Sequence, residues 1–297
     1  MASIKDLKKR IGSVKNTQQT TKAMKMVSAA KLRRAQEAIL NNRPYAKRVG
    51  ALTEQMLGLP EVTVESPLLD RDGHSVTQTG KRLLLVVVTS DRGLCGGFNS
   101  NIIRATARFV RENKDKYSSI KLAYLGKKGY DFFKTKNVEQ GPYFLECAGK
   151  VTFKKAADLS NKLCQTFLTG EVDEVKILFN EFKNAVTQRV TFENYLPLVP
   201  SVSKNSEGDR SDRMIIVKPG ADAVLSALLG KHFTIQIFRV MLDSQAGEHG
   251  ARMSAMENAT KNAGEMIKKL SLQYNKQRQA GITKELLEII SGSESSH

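Results

Sequence analysis

Ten residues concentrate whatever chemistry this sequence can offer. Ser90–Asn99 reads SDRGLCGGFN, with Gly93, Gly96 and Gly97 around Leu94 and Cys95. Glycines at the opening of a helix expose backbone N–H groups, and such a turn can cradle a phosphate. The spacing matches neither GxGxxG nor a P-loop, because no Lys-Ser/Thr follows the last glycine. The plainer reading is a tight strand-to-helix turn that needs positive φ. Cys95 could be a nucleophile, but a small residue in a crowded turn is the preferred reading. The four histidines, His74, His232, His249 and His297, are scattered over loop, helix and terminus. None forms HExxH or a Cys/His metal spacing. The sequence assigns no catalytic residue, no cofactor site and no metal site.

Charge and cysteine usage bound the remaining possibilities. The chain of 297 residues carries a formal charge of +17, concentrated at its start. Residues 1–50 hold thirteen Lys/Arg against Asp6 and Glu37, a net of +11. A basic helical arm suits an acidic partner, whether nucleic acid, anionic lipid or an acidic protein surface. Against nucleic acid, that arm has one aromatic, Tyr45, and no known binding motif. Cys95, Cys147 and Cys164 form no CxxC, which argues for a reducing compartment without a disulfide framework. The longest apolar run, Leu83–Val88, is too short to span a bilayer.

The elements that must position these residues follow from periodicity. A buried strand is expected over Arg82–Thr89 (RLLLVVVT), followed by the glycine turn and a helix over Ile102–Glu112. Further strands are expected at Lys121–Leu125, Val175–Phe182, Thr187–Leu198 and Arg213–Val217. Helices are expected at Lys128–Lys134 and Phe153–Leu168, with loops over 60–80 and Ser201–Asp212. Alternating strand and helix implies an α/β fold, here a Rossmann-like parallel-sheet domain over 58–220.

Two long helices flank that domain. Over 1–57, Ser3 is an N-cap with Asp6 at the third helical position, and Pro44 should kink or divide the helix. Ile4, Leu7, Ile11 and Val14 step by three and four, and the apolar stripe resumes at Met24, Val27, Leu32, Ala35 and Ile39. Between them, Lys15–Lys22 turns the seam polar. Over 221–290, Leu242, Ala246, His249, Met253, Met256, Thr260, Ala263, Ile267, Leu270 and Tyr274 keep the same spacing. Past Gln277 the register is expected to shift to Ile282, Leu286 and Ile289. Helices of about 80 Å and about 105 Å cannot be buried by one small domain. They most simply bury each other as an antiparallel coiled coil, a shaft on a globular head. Residues 291–297 read as a disordered tail. The function is then mechanical or assembly-based.

Three blocks carry a resemblance: Ile11–Gln36 (IGSVKNTQQTTKAMKMVSAAKLRRAQ), the turn at 90–99, and Glu248–Ile290 with EHGARMSAMENATKNAGEMI and YNKQRQAGITKELLEII. Together they resemble the γ subunits of F-type ATP synthase, in order and over the whole chain. The resemblance implies a rotor with no active site or cofactor of its own. Its coiled coil would stand inside an α3β3 hexamer, and its globular part on the ε subunit and the membrane c-ring. Proton flow would turn it and drive ATP synthesis on β, or run in reverse on hydrolysis. It implies contacts with β or a shaft role for Lys22, Met24, Lys25, Arg252, Arg278, Gln279, Thr283 and Glu285. Leu286, Leu287, Ile289 and Ile290 would form an apolar bearing tip. Gly93, Leu94, Cys95, Gly96 and Gly97 are a family signature turn. The chain departs from the family at Gly247–Gly250, GEHG for the usual SEHA, which should loosen the helix, and at Lys218–Gly220, KPG for the usual EPS. The chloroplast redox insertion is missing, so thiol regulation is not expected. The lack of a transit peptide points to a bacterial protein, peripheral on the cytoplasmic face of the inner membrane. The alternative is a basic nucleic-acid-binding coiled coil.

Overall fold

The computed structural model describes residues 3–57, 66–69, 80–144, 151–185, 187–199, 218 and 220–294. In chain order they form α1 (Ile4–Leu57), β1 (Lys81–Val88), α2 (Phe98–Glu112), β2 (Tyr117–Leu125), α3 (Lys127–Phe133) and β3 (Glu139–Phe144). There follow α4 (Phe153–Leu168), β4 (Glu174–Phe182), β5 (Gln188–Leu196) and α5 (Ala221–Glu294). The chain divides into two compact units, Met1–Ala29 with Arg252–His297, and Ala30–Ala251.

The larger unit is built on a five-stranded sheet of order β3-β2-β1-β4-β5. β1 to β4 pair in parallel and β5 is antiparallel to β4. The sheet has the expected parallel core and is mixed at one edge. A strand can reverse there because the short β4–β5 connection needs no crossover helix. The successive residues of β1 serve opposite faces. Leu84, Val86 and Val88 join Ile177 and Phe179 under α4 (Ala156, Leu159, Leu163) and under Leu229, Phe233, Ile237 and Met241 of α5. Leu83, Leu85 and Val87 join Leu122 and Tyr124 under Ile102 of α2 and Phe133 of α3. Burial of the central strands on both faces explains why β1 reads as one apolar run.

The sequence reading misses β3. Its segment EQGPYF contains Gly141 and Pro142, which argue against a strand. Proline is tolerated because, among the described residues, β3 is an edge strand paired with β2 alone. At Gly141 a Cβ would stand 3.0 Å from the Leu122 carbonyl oxygen, so the close approach of two backbones uses the missing side chain. The expected strand at 213–217, Cys147 and the loop at 201–212 lie outside the described residues. Of the loop expected over 60–80, residues 66–69 form a turn whose Leu69 bridges to Leu198.

The smaller unit pairs the start of α1 with the end of α5. Ser3 and Asp6 cap α1 reciprocally: the Asp6 N–H donates to Ser3 Oγ and the Ser3 N–H to Asp6 Oδ2, both at 3.3 Å. Inward positions on α1 are Leu7, Ile11, Val14, Gln18, Thr21, Lys25 and Ser28, an unbroken four-three repeat. Val27 was expected on this seam, but it is 56% exposed while Ser28 is 3% exposed. Helix phase, not hydrophobicity, decides which of the two turns inward. On α5 the inward residues run Met256, Thr260, Ala263, Ile267, Leu270, Tyr274, Gln277 and Gly281. The expected shift past Gln277 does not occur: Ile282, Leu286 and Ile289 are exposed, and Ile4 Cδ1 lies 3.7 Å from where a Cβ of Gly281 would stand.

Two further expectations on the helices are corrected. Helix α1 runs without division through Pro44, with Leu32, Ala35, Val49 and Thr53 buried on either side of it. That burial offsets the one backbone hydrogen bond proline removes. Helix α5 continues through Glu294, where a tail was expected from 291.

Candidate functional site

The glycine turn leaves β1 at Thr89 and enters α2 at Phe98. Its buried centre is polar and self-satisfied. Asn99 Oδ1 accepts the Ser90 N–H at 3.0 Å, and Asn99 Nδ2 donates to Ser90 Oγ at 2.8 Å and to Cys95 Sγ at 3.2 Å. Ser90 Oγ in turn donates to the Arg92 carbonyl at 2.6 Å. The expected positive φ falls on Gly96 (55°) and on Leu94 (64°) rather than on Gly93 or Gly97. Leu94 is 66% exposed despite that strained conformation. Cys95 is buried and free, bonded to Ser90, Asn99 and the Arg92 carbonyl. His232 and His249 both belong to α5, and His74 and His297 lie outside the described residues.

In a doubly wound fold, a ligand would enter the crevice at the carboxyl ends of the strands. Here α5 occupies that ground. A Cβ on Gly247 would stand 3.2 Å from the Phe98 ring and 3.3 Å from Gln188, and one on Gly250 would stand 2.9 Å from the Ala185 carbonyl oxygen. Asn180, buried beneath, donates to the Phe98 carbonyl at 3.1 Å. The space left among Val88, Thr89, Leu125, Met241 and Glu248 is ≈ 10 Å³, no more than one water needs. The two glycines let α5 lie close against the sheet at this point. Among the described residues, no group of His, Cys, Asp or Glu could hold a metal ion.

Lower on α5, a charged cluster joins three elements of the larger unit. Arg239 pairs with both carboxylate oxygens of Glu193 on β5, and Gln236 Nε2 donates to Glu193 at 2.7 Å. Asp243 is buried beside them. Burial raises its pKa to about 6 against the pull of Arg239 and Arg43, with Glu181 and Glu193 adding to the rise.

In the smaller unit, the residues singled out by resemblance fall into separate groups. Lys22 is exposed and Met24 half-buried. Lys25 is already engaged, its Nζ 2.6 Å from Glu257 Oε1. Lys22 and Lys25 line an open groove of ≈ 620 Å³ with Gln18, Thr260 and Gly264. Arg252 is buried. Arg278, Gln279, Thr283 and Glu285 are exposed, with the Thr283 hydroxyl donating to the Gln279 carbonyl at 3.0 Å. Leu286, Leu287, Ile289 and Ile290 are all exposed. Sequence reasoning missed Gln18, Thr21 and Thr260 as a joined set. The Thr21 and Thr260 hydroxyls meet at 2.7 Å, and Gln18 Nε2 reaches the Thr260 carbonyl at 3.5 Å. Extending the heptad from Leu7 would have found them. Leu272, 72% exposed, and Met266 also went unnoticed as outward apolar groups.

A two-helix unit of heptad pairing, joined in sequence to a doubly wound sheet whose crevice is closed, defines a class of assembly subunit. The chain belongs to the ATP synthase family, whose model matches residues 3–295, and its function is that of the rotor subunit in the central stalk. It is 48% identical over 295 residues to the ATP synthase gamma chain of Geotalea uraniireducens, with 99% of each chain covered. It is 44% identical over 301 residues to that of Bdellovibrio bacteriovorus, again with 99% of each covered. Among solved structures it resembles a chain of the Tetrahymena thermophila mitochondrial ATP synthase central stalk and c-ring. There the TM-score is 0.59 and the identity 26%, over 81% of this chain and 99% of that one. A chain of the Euglena gracilis mitochondrial enzyme shares the fold at a TM-score of 0.65 and 20% identity, over 99% and 94%. No helix among the described residues is long and apolar enough to cross a membrane.

Proposed function

We infer that this rotor turns inside an α3β3 hexamer and carries torque from a membrane c-ring, with an ε subunit beside it. ATP forms on the β subunits, and the chain contributes contact surfaces without an active site of its own. The observation that carries this reading is the two-helix unit of the smaller half, with its unbroken heptad seam and basic outer face. Two paired helices resist twisting better than one. Lys22, Met24 and Lys25 on one helix, with Arg252, Arg278, Gln279, Thr283 and Glu285 on the other, supply the surface that meets β. Leu286, Leu287, Ile289 and Ile290 supply the apolar tip. Asymmetric contact biases each β subunit toward one conformation at a time, a population shift driven by differential affinity. The complex lies on the cytoplasmic face of the bacterial membrane, with this chain peripheral to it.

The test is reconstitution with α, β, ε and the membrane sector in vesicles. Proton-driven ATP synthesis is expected from the full chain and should vanish when residues 221–297 are removed. Coupled synthesis that survives the truncation overturns the reading.

A further inference from the structure

The seam of the smaller unit is adaptable nearly everywhere. Met256 is flexible, Ala263 and Gly264 are small, and simple apolar residues (Ile11, Val14, Ile267, Leu270) pack in many registers. A smooth seam of this kind lets one helix slide past the other by a turn, about 5.4 Å, with little loss of burial. Both helices continue unbroken into the core of the larger unit, and the seam needs a device of its own to hold one register along its length.

We propose that Thr21 and Thr260 set the register of the two shaft helices, and so act as positioning residues for torque transmission. Thr21 is 8% exposed, and its hydroxyl lies 2.7 Å from that of Thr260. Each hydroxyl also approaches a carbonyl of its own helix, Thr21 that of Gln18 at 3.0 Å and Thr260 that of Met256 at 2.7 Å. Each hydroxyl has one proton, so one threonine donates to the other while the second bonds its own backbone. Sliding either helix by a turn places Thr21 opposite Met256 or Ala263, neither of which offers a partner. A buried polar pair within an apolar seam is the device by which coiled coils select one register. Lys25–Glu257 spans the same helices, but its carboxylate side chain is 58% exposed, and an exposed pair of this kind contributes little. Because each threonine can still bond its own helix, a slip strands no polar group and costs the one hydrogen bond between the helices.

The register can be read directly. From Thr21 and Thr260, one heptad toward each end of the shaft pairs Val14 with Ile267. Cysteines at Val14→Cys and Ile267→Cys report the native register, and Val14→Cys with Leu270→Cys reports the one-turn slip that brings Thr21 opposite Ala263. Both pairs are tested in the assembled complex, with the disulfide identified by peptide mapping. In the otherwise unaltered chain only the first pair should close. In Thr21→Val/Thr260→Val the slipped pair should form about five-fold faster, the worth of one net hydrogen bond. The same variant should pump fewer protons per ATP hydrolysed, while Thr21→Ser/Thr260→Ser should restore both readouts. If the valine pair does not assemble, Thr21→Ala is read by the same two measurements. A variant that keeps the single register, or that slips while keeping the parent coupling ratio, overturns the proposal. Cross-linking does not depend on rotation, so its failure is distinct from a failure of the rotor reading.

Discussion

Asn99 Oδ1 accepts the backbone N–H of Ser90 at 3.0 Å, where β1 ends in the buried heart of the glycine turn. One amide side chain thereby holds the last residues of a strand against the first turn of a helix. Asn99→Ala would leave the buried Ser90 N–H without this acceptor and release Cys95 Sγ as well. We expect a loss of about 2 kcal/mol, the cost of stranding a buried donor. Urea denaturation of the purified chain measures it. An unchanged midpoint would mean that another group satisfies Ser90.

Leu94 tests the same turn from outside. It holds φ at 64° with its side chain largely in water. A left-handed L-residue costs about 1–2 kcal/mol, and glycine's extra freedom when unfolded recovers part of that. Leu94→Gly should therefore stabilise the isolated chain by about 0.5 kcal/mol. A fall in melting temperature would show that the exposed leucine packs more than its surroundings indicate.

The two glycines of GEHG should respond differently to alanine. Helix propensity favours the change at both by about 1 kcal/mol. At Gly250 the new Cβ would press on a backbone carbonyl at 2.9 Å, and overpacking against backbone costs about 1–3 kcal/mol. At Gly247 the nearest neighbours are the side chains of Phe98 and Gln188, which can yield. Gly250→Ala should lower the melting temperature, while Gly247→Ala should leave it nearly unchanged. Equal shifts for both variants would refute the distinction.

Asp243 makes stability depend on pH. Its ordinary pKa of 3.8 rises to about 6 in the fold, chiefly through burial. Between these values the native state holds a proton that the unfolded chain has released. Stability therefore falls as pH rises from 3.8 toward 6, and the full cost of the buried charge is present above that. The gap corresponds to about 3 kcal/mol. Asp243→Asn should stabilise the chain by about 2 kcal/mol at pH 8 and flatten the profile between pH 4 and 7. Denaturation midpoints over that range provide the check, and parallel profiles for the two chains would contradict it.

Patterns governed by a single local rule were legible in the sequence. The Ser3/Asp6 cap and the bounds of α4, Phe153–Leu168, follow from capping chemistry and amphipathic spacing. Features that depend on context were not. Val27 looks like a seam residue by type, yet the phase carried forward from Leu7 buries Ser28. Ile282, Leu286 and Ile289 look like a continued stripe, but the heptad passes through Gln277 and Gly281. β3 was hidden because its glycine and proline are acceptable only at a sheet edge, and edge position belongs to topology. The turn at 90–99 was legible as a strand-to-helix turn with positive φ, but its Asn99 centre was not foreseen, since an asparagine in a loop carries no signal of what it will bond.

The fit of α5 across the sheet has one more consequence. Phe98, Gln188 and Ala185 crowd the helix where Gly247 and Gly250 leave no side chains to yield. For the sheet to turn about the axis of α5, these groups would have to climb over bare helical backbone. The sheet is keyed to the helix as a gear is keyed to its axle. Helix and sheet are in direct contact there with little space between them, so a turn of one presses at once on the other.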